Sequence, residues 1–181
     1  MRLNLAGYLR SPVRAAAAFR AAERGATAVE FALIAPAFLA TILALMQMAL
    51  FIFAQQVLQN AAMQAGRQFM TGQAQSESQS AFKTYVCQNY LPYMFDCNSL
   101  VIVVQSAASF SSTSTSAPAL YSGGQPVQNW TYSPGTPGQV MVVQLVYPWS
   151  VFGGPLGFTL ANLPNSAAEM MGISAFRVEP Y

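Results

Sequence analysis

The residues best placed to do chemistry are Gly25, Ala26 and Glu30, which stand together at the head of a long apolar run. No residue from Phe31 to Ala54 carries a charge, so Glu30 is a carboxylate at the edge of an apolar segment. Such an acid is costly unless a cation pairs with it. The sequence places a cut between Gly25 and Ala26, which would leave the apolar segment on the mature chain. Glu30 is expected to pair with a cation, and the alternative is an acid at the membrane edge that reaches water.

Other kinds of site chemistry find little support in the sequence. There is no histidine, which removes the commonest general base and the commonest zinc ligand. Cys87 and Cys97 are too few to hold a metal and lack the close spacing of a redox pair. A structural disulfide closing a small loop around Pro92 is the expected state, with free thiols as the alternative. We therefore expect neither an enzyme nor a cofactor or metal.

A single long helix must position the Gly25–Glu30 motif. A helix over 31–54 has a length of roughly 36 Å, enough to cross a bilayer core about 30 Å thick. Beyond Ala54 the apolar residues keep helical spacing on one face, with glutamines on the other, as far as the stop at Gly72. The prediction is one helix over 26–72, with its transmembrane part at about 31–54. Pro36 lies inside the span and should kink it.

The charges predict how the chain crosses the membrane. Five arginines precede the span, and three basic residues follow it: Arg67, Lys83 and Arg177. The positive-inside rule then places a basic leader, residues 1–25, in the cytoplasm and the rest of the chain across the membrane. The apolar run is too long for a cleaved secretory signal. Because the net positive charge belongs to the leader, it does not indicate nucleic-acid binding.

Residues 73–181 are predicted to form a small domain, which makes the whole chain α+β. The stretch 73–82 is either a linker or the start of a short helix running towards Tyr90. Strands are expected at Leu100–Gln105 and Gln139–Tyr147, in an antiparallel sheet covered on both faces. A closing strand is expected over 173–181. The stretch 148–164 is either a loop that lines the core or an apolar patch for a partner.

The stretch RGATAVEFALIAPAF (24–38) resembles the N-terminal signature of the TadE-like minor pilins, or pseudopilins, of the tight-adherence (Flp/Tad) pilus system. That system belongs to the type IV filament superfamily. The resemblance extends to AAMQAGRQFMTG (61–72), the cysteine pair, Tyr147–Pro148 and the terminal AFRVEPY (175–181). It implies cleavage after Gly25 by a prepilin peptidase, with Glu30 as the fifth mature residue and Phe31 directly after it.

The resemblance also implies a location and a set of partners. The protein is expected in the inner membrane, single-pass, with a periplasmic C-terminal domain, and after assembly in a pilus at the cell surface. Its partners are expected to be the peptidase, other minor pilins, the major Flp pilin, the inner-membrane assembly platform and membrane lipid. It would initiate assembly or cap the tip. The alternatives are a tip adhesin that binds through its 106–164 loops, and a membrane-anchored periplasmic enzyme or sensor.

Overall fold

The computed structural model describes residues 25–123, 125–153, 157 and 159–179. The leader before Gly25, the last two residues and part of the 148–164 stretch lie outside these ranges. The chain divides into two compact units, Met1–Ala44 and Leu45–Tyr181. The elements are α1 (Ala26–Met70), α2 (Gln79–Tyr90), β1 (Val101–Ala107), β2 (Tyr121–Ser122), β3 (Gln125–Pro126), β4 (Val140–Ser150) and β5 (Ala167–Arg177). The α+β prediction is confirmed.

Helix α1 has two halves of different character. In its second half a single face is buried, at Ala54, Leu58, Ala61, Ala62, Ala65, Gly66 and Phe69. This is the i, i+3, i+4, i+7 spacing that the sequence predicts. The helix ends at Met70, two residues before the predicted stop, and Gly72 follows with a φ of 75°. A left-handed residue after the last turn favours glycine.

The stretch after α1 contains a turn and then the second helix. Ser78 caps α2, since its hydroxyl accepts a hydrogen bond from the amide of Ala81 at 3.3 Å. Phe82, Val86 and Cys87 form the buried face of α2. Phe82 packs on Phe69 with ring centroids 4.7 Å apart, which joins the two helices. The stretch 73–82 was expected to be either a linker or the start of a short helix, and it contains the start of a helix, at Gln79.

The main sheet has three antiparallel strands in the order β1-β4-β5. β4 is longer than predicted and extends through Pro148 and Trp149 to Ser150, while β5 begins at Ala167 rather than residue 173. Proline fits in β4 because β1 begins at Val101, opposite Val146, so that Pro148 has a strand on one side only, opposite Glu169. The two extended ends pair with each other as far as Ser150 and Ala167.

Both faces of the sheet are covered, as predicted. Met141, Val143 and Leu145 of β4 belong to the core that α1 and α2 share. The alternate residues of β4 are buried on the other face, where the Gln144 amide donates to the Ser116 carbonyl at 3.1 Å. The loop after β1 therefore covers the face that the helices leave open.

Side chains of the helices cover the free edges of the sheet. The Gln59 carboxamide donates to the Ile173 carbonyl at 2.8 Å and accepts from the Ile173 amide at 3.0 Å. Gln55 donates to the Met171 carbonyl at 2.8 Å, and on the opposite edge Gln79 donates to the Ile102 carbonyl at 2.9 Å. On the β5 edge these glutamines occupy the place of a neighbouring strand, while on the β1 edge the backbone of Thr131 and Ser133 also bonds to Val104. The sequence places Gln55 and Gln59 on the polar side of the helix but does not reveal this role.

Candidate processing and assembly site

The predicted cleavage point lies at the very start of α1. Gly25 is exposed and precedes the helix, and Ala26 is the first helical residue. Among the described residues, a Cβ atom added at Gly25 meets nothing within 4 Å. The described part of the chain therefore leaves room for a side chain at this position.

Glu30 and Phe31 follow one turn further along the same helix. Both side chains are exposed, and the ring of Phe31 is 73% accessible. An i to i+4 spacing sets Glu30 about 6 Å along the axis from Ala26, since each residue rises about 1.5 Å. The structure thus brings Gly25, Ala26, Glu30 and Phe31 together on the first two turns.

The first unit presents an apolar surface around these residues. Val29, Leu33, Ile34, Phe38, Leu39 and Leu43 are each more than half exposed. The chain remains helical on both sides of Pro36, which lies inside α1. The kink at Pro36 stays a prediction. So much exposed aliphatic and aromatic area is unusual for a chain in water and marks a surface that contacts lipid or other protein.

The second unit, described by itself, also begins with exposed apolar residues of α1. Leu45, Met46, Leu50, Ile52 and Phe53 are more than half exposed, up to the point where Ala54 becomes fully buried. By length and composition α1 can span a membrane, and only 6% of its most apolar stretch is buried within the structure. This low burial separates it from the core helix of a soluble protein, which would be mostly covered.

Cys87 and Cys97 form the predicted disulfide, with their Cα atoms 5.9 Å apart. The bond ties the end of α2 to a loop whose Phe95 ring lies 5.0 Å from Tyr147 and 5.8 Å from Trp149, between ring centroids. The Asp96 carboxylate accepts from the Asn98 amide at 3.0 Å and from the Ser99 hydroxyl at 3.2 Å. Tyr93 is fully exposed in this loop. The disulfide therefore has a structural place, away from the cleavage motif in sequence.

A cleft of about 440 Å³ lies beside the edge of β1, where no sequence pattern indicates one. Its lining includes Lys83, Ile102, Tyr121 and Trp130. Burial lowers the pKa of Lys83, and the nearby Asp96 opposes that shift. The cleft depends on loops from distant parts of the chain, which no local pattern could bring together. Among the described residues there is no group of three or more His, Cys, Asp or Glu side chains that could hold a metal.

One long, exposed apolar helix followed by a small disulfide-linked antiparallel domain fits a single-pass, pilin-like membrane protein. Residues 25–67 match the family model described as TadE-like protein. The match covers the N-terminal segment rather than the C-terminal domain, and it supports a TadE-like protein of the Tad pilus system. The family is one of pilus components, not of enzymes. No curated protein and no solved structure matches the chain.

Proposed function

We propose that the protein is a minor pilin, or pseudopilin, that is cut after Gly25 by a prepilin peptidase, held in the inner membrane, and incorporated into a tight-adherence pilus. The observation that carries the proposal is the exposed apolar half of α1, headed by Gly25, Ala26 and Glu30, within the segment that matches the TadE-like family. A helix that is only an anchor has no need of a carboxylate in its second turn.

The proposed assembly step uses the charge that cleavage creates. Hydrolysis of the Gly25–Ala26 bond leaves an ammonium group on Ala26. In the filament this group pairs with Glu30 of a neighbouring copy, or with an acidic residue of another pilin subunit. Two charges in an apolar environment then neutralise each other. The rest of the exposed helix then leaves lipid and packs against other helices. The partners are the peptidase, the assembly platform, the other minor pilins and the major Flp pilin.

Mass spectrometry of the membrane-extracted protein tests the cleavage. The wild-type chain should begin at Ala26 in a cell that contains the peptidase. Gly25→Ala should retain the leader, and because a Cβ at Gly25 meets no atom within 4 Å, that loss would report the peptidase rather than the fold. Gly153→Ala is the matched control, since a Cβ there also meets nothing within 4 Å. An uncut wild-type chain beginning at Met1 would sink the proposal.

Glu30→Gln tests the pairing separately from the cleavage. The substitution keeps the size of an exposed side chain and removes its charge. We expect an N-terminus at Ala26 together with a loss of the protein from sheared pili, measured by immunoblot of the pilus and membrane fractions. Gln56→Glu, an exposed position on the same helix, controls for a change of charge alone. Normal incorporation of Glu30→Gln would contradict the pairing role.

A tip adhesin is the second candidate function, and the cleft beside β1 favours it. Tyr121 and Trp130 give this cleft aromatic walls, a residue type enriched at recognition sites, and Lys83 adds a cation. If the cleft binds a surface, Trp130→Ala should reduce adhesion of piliated cells without reducing the number of pili. Equal loss of both would mean that the cleft serves assembly instead.

A further inference from the structure

The end of the sheet at which β4 stops lies beside α1. The Gln47 side-chain amide donates a hydrogen bond to the Phe152 carbonyl at 2.9 Å. Phe152 lies two residues after the end of β4 and is 84% exposed. Gln47 is the one polar residue between Thr41 and Gln55. The end of the sheet therefore reaches a part of the helix that the sequence assigns to the membrane span.

The course of β5 along α1 supports the same placement independently. Met171 is bonded to Gln55 and Ile173 to Gln59, so β5 runs in the same direction as the helix. Ala167 precedes Met171 by four residues, or about 13 Å at 3.3 Å per strand residue, which is about nine helical residues at 1.5 Å each. This places the start of β5 near the level of residue 46, in agreement with the contact between Gln47 and Phe152.

The composition of the β4–β5 connection suits a non-aqueous environment. From Pro148 to Ala168 there is no charged residue, although the stretch contains phenylalanine, leucine and tryptophan. Its backbone is bonded where it leaves the sheet: the Val151 amide donates to Ser166 at 2.9 Å, and the Leu163 amide donates to Ala167 at 2.9 Å. Around it on α1, Met46 and Leu50 are exposed apolar side chains.

We propose that this end of the domain rests in the outer leaflet of the membrane that α1 crosses, with Phe152 inserted at the level of the headgroups and upper acyl chains. Residues Gln47 to Ala54 cover about 10 Å of helix, which is the depth of an interfacially bound segment, roughly 5–10 Å. Aromatic side chains are enriched at this level. The span and Phe152 thus share the outer leaflet. The proposal rests on the membrane anchoring in the proposed function.

Tryptophan quenching in vesicles tests this placement in the full chain. Phe152→Trp, Leu43→Trp and Phe110→Trp are each reconstituted in phosphatidylcholine vesicles with a minor share of phosphatidylglycerol, whose acyl chains carry bromine near the glycerol end or near the methyl end. The signal of the wild-type chain is subtracted to remove Trp130 and Trp149. All three positions are more than half exposed, so the larger ring fits without repacking. Phe110 follows β1 at the end of the sheet opposite Phe152.

We expect Phe152→Trp to lose fluorescence chiefly with the shallow bromines, Leu43→Trp to lose it with the deep bromines, and Phe110→Trp to lose none. Quenching at Leu43→Trp without quenching at Phe152→Trp would overturn the inference and leave the anchoring intact. A blue-shifted but unquenched Phe152→Trp would place the residue against another protein copy, which also overturns it. Equal quenching of Phe152→Trp and Phe110→Trp would also overturn the inference. Absence of quenching at Leu43→Trp would contradict the anchoring itself, and the inference with it.

Discussion

Tyr132 carries its hydroxyl group into the core, where the oxygen has no hydrogen-bond partner among the described residues. Its ring centroid lies 6.3 Å from those of Phe69 and Phe82. Burial, with the charge of Glu77 adding to it, raises the pKa of Tyr132 to about 12. The ring contributes to packing, while the hydroxyl loses its hydration without a protein bond in return.

The pH dependence follows from the raised pKa of Tyr132. A pKa above the ordinary value of 10.0 means that the folded chain holds this proton more tightly than the unfolded chain. The contribution of this bound proton to the free energy of unfolding is complete below pH 10 and is lost as the pH rises towards 12. Tyr132→Phe should therefore weaken the alkaline loss of stability, and at neutral pH should change the free energy of unfolding by less than about 1 kcal/mol.

Denaturant unfolding of the full chain in mild detergent, followed at neutral pH and above pH 10, measures this effect. Tyr93→Phe is the control at neutral pH, because it removes a hydroxyl from a fully exposed ring and should leave the free energy of unfolding unchanged. A clear loss of stability in Tyr132→Phe at neutral pH would mean that the hydroxyl has a partner that stabilises the fold.

At the scale of elements, Gln59 joins a helix to a strand edge through two hydrogen bonds. Gln59→Ala leaves the amide and the carbonyl of Ile173 without these bonds in a partly buried place. We expect the free energy of unfolding to fall by about 1–3 kcal/mol, the usual cost of unsatisfied polar groups. Gln56→Ala, at an exposed position of the same helix, is the matched control and should change stability little. Equal values for the two variants would show that the edge contact adds nothing.

Gly172 marks the closest approach of β5 to α1. A Cβ atom at this position would stand 2.5 Å from the Leu58 carbonyl oxygen and 2.8 Å from its carbon, both of which are backbone atoms. Neither atom can turn aside, so Gly172→Ala must push the helix away from the sheet. Overpacking of this kind costs about 1–3 kcal/mol. Denaturant unfolding measures this loss of stability. Gly153→Ala is the control, because a Cβ there meets nothing within 4 Å. An unchanged midpoint for Gly172→Ala would contradict so close a contact.

The helices were predictable because their cause is local. The spacing from Ala54 to Phe69 defines the buried face, and Gly72 marks the end to within two residues. The strands of the sheet were found from their β-branched residues, but the ends of β4 and β5 were not. Pro148 reads as a strand terminator, whereas its tolerance depends on where β1 begins, and that is a property of pairing between distant segments.

The candidate site divides in the same way. Gly25, Ala26, Glu30 and Phe31 are neighbours in sequence and on one helix, so their arrangement was predictable from their order. The disulfide required only two cysteines in one short segment. The cleft beside β1 and the contact of Gln47 with Phe152 join residues far apart in the chain. No periodicity or motif predicts these contacts, because they depend on how the loops return to the sheet.

At the scale of the whole molecule, the second unit builds its core from a small number of elements. The core uses one face of α1, the short α2 and three strands, with alanine at several helix positions. A small domain buries a smaller fraction of its surface than a large one and gains more from covalent restraint. The loop that Cys87 and Cys97 close contributes Phe95 to that core, 5.0 Å from Tyr147 between ring centroids. The disulfide therefore acts on more than its own loop.

Replacing both cysteines, as Cys87→Ser with Cys97→Ser, should lower the free energy of unfolding by about 2–3 kcal/mol, the chain-entropy value for a loop of this size. Because Phe95 is held between the disulfide and the sheet, the near-ultraviolet dichroism of Tyr147 and Trp149 should weaken as well. Denaturant unfolding of the full chain in detergent measures the first effect. Reduced wild-type protein is the control, and it should match the double variant. A stability equal to that of the oxidised wild type would show that the core holds Phe95 without the bond.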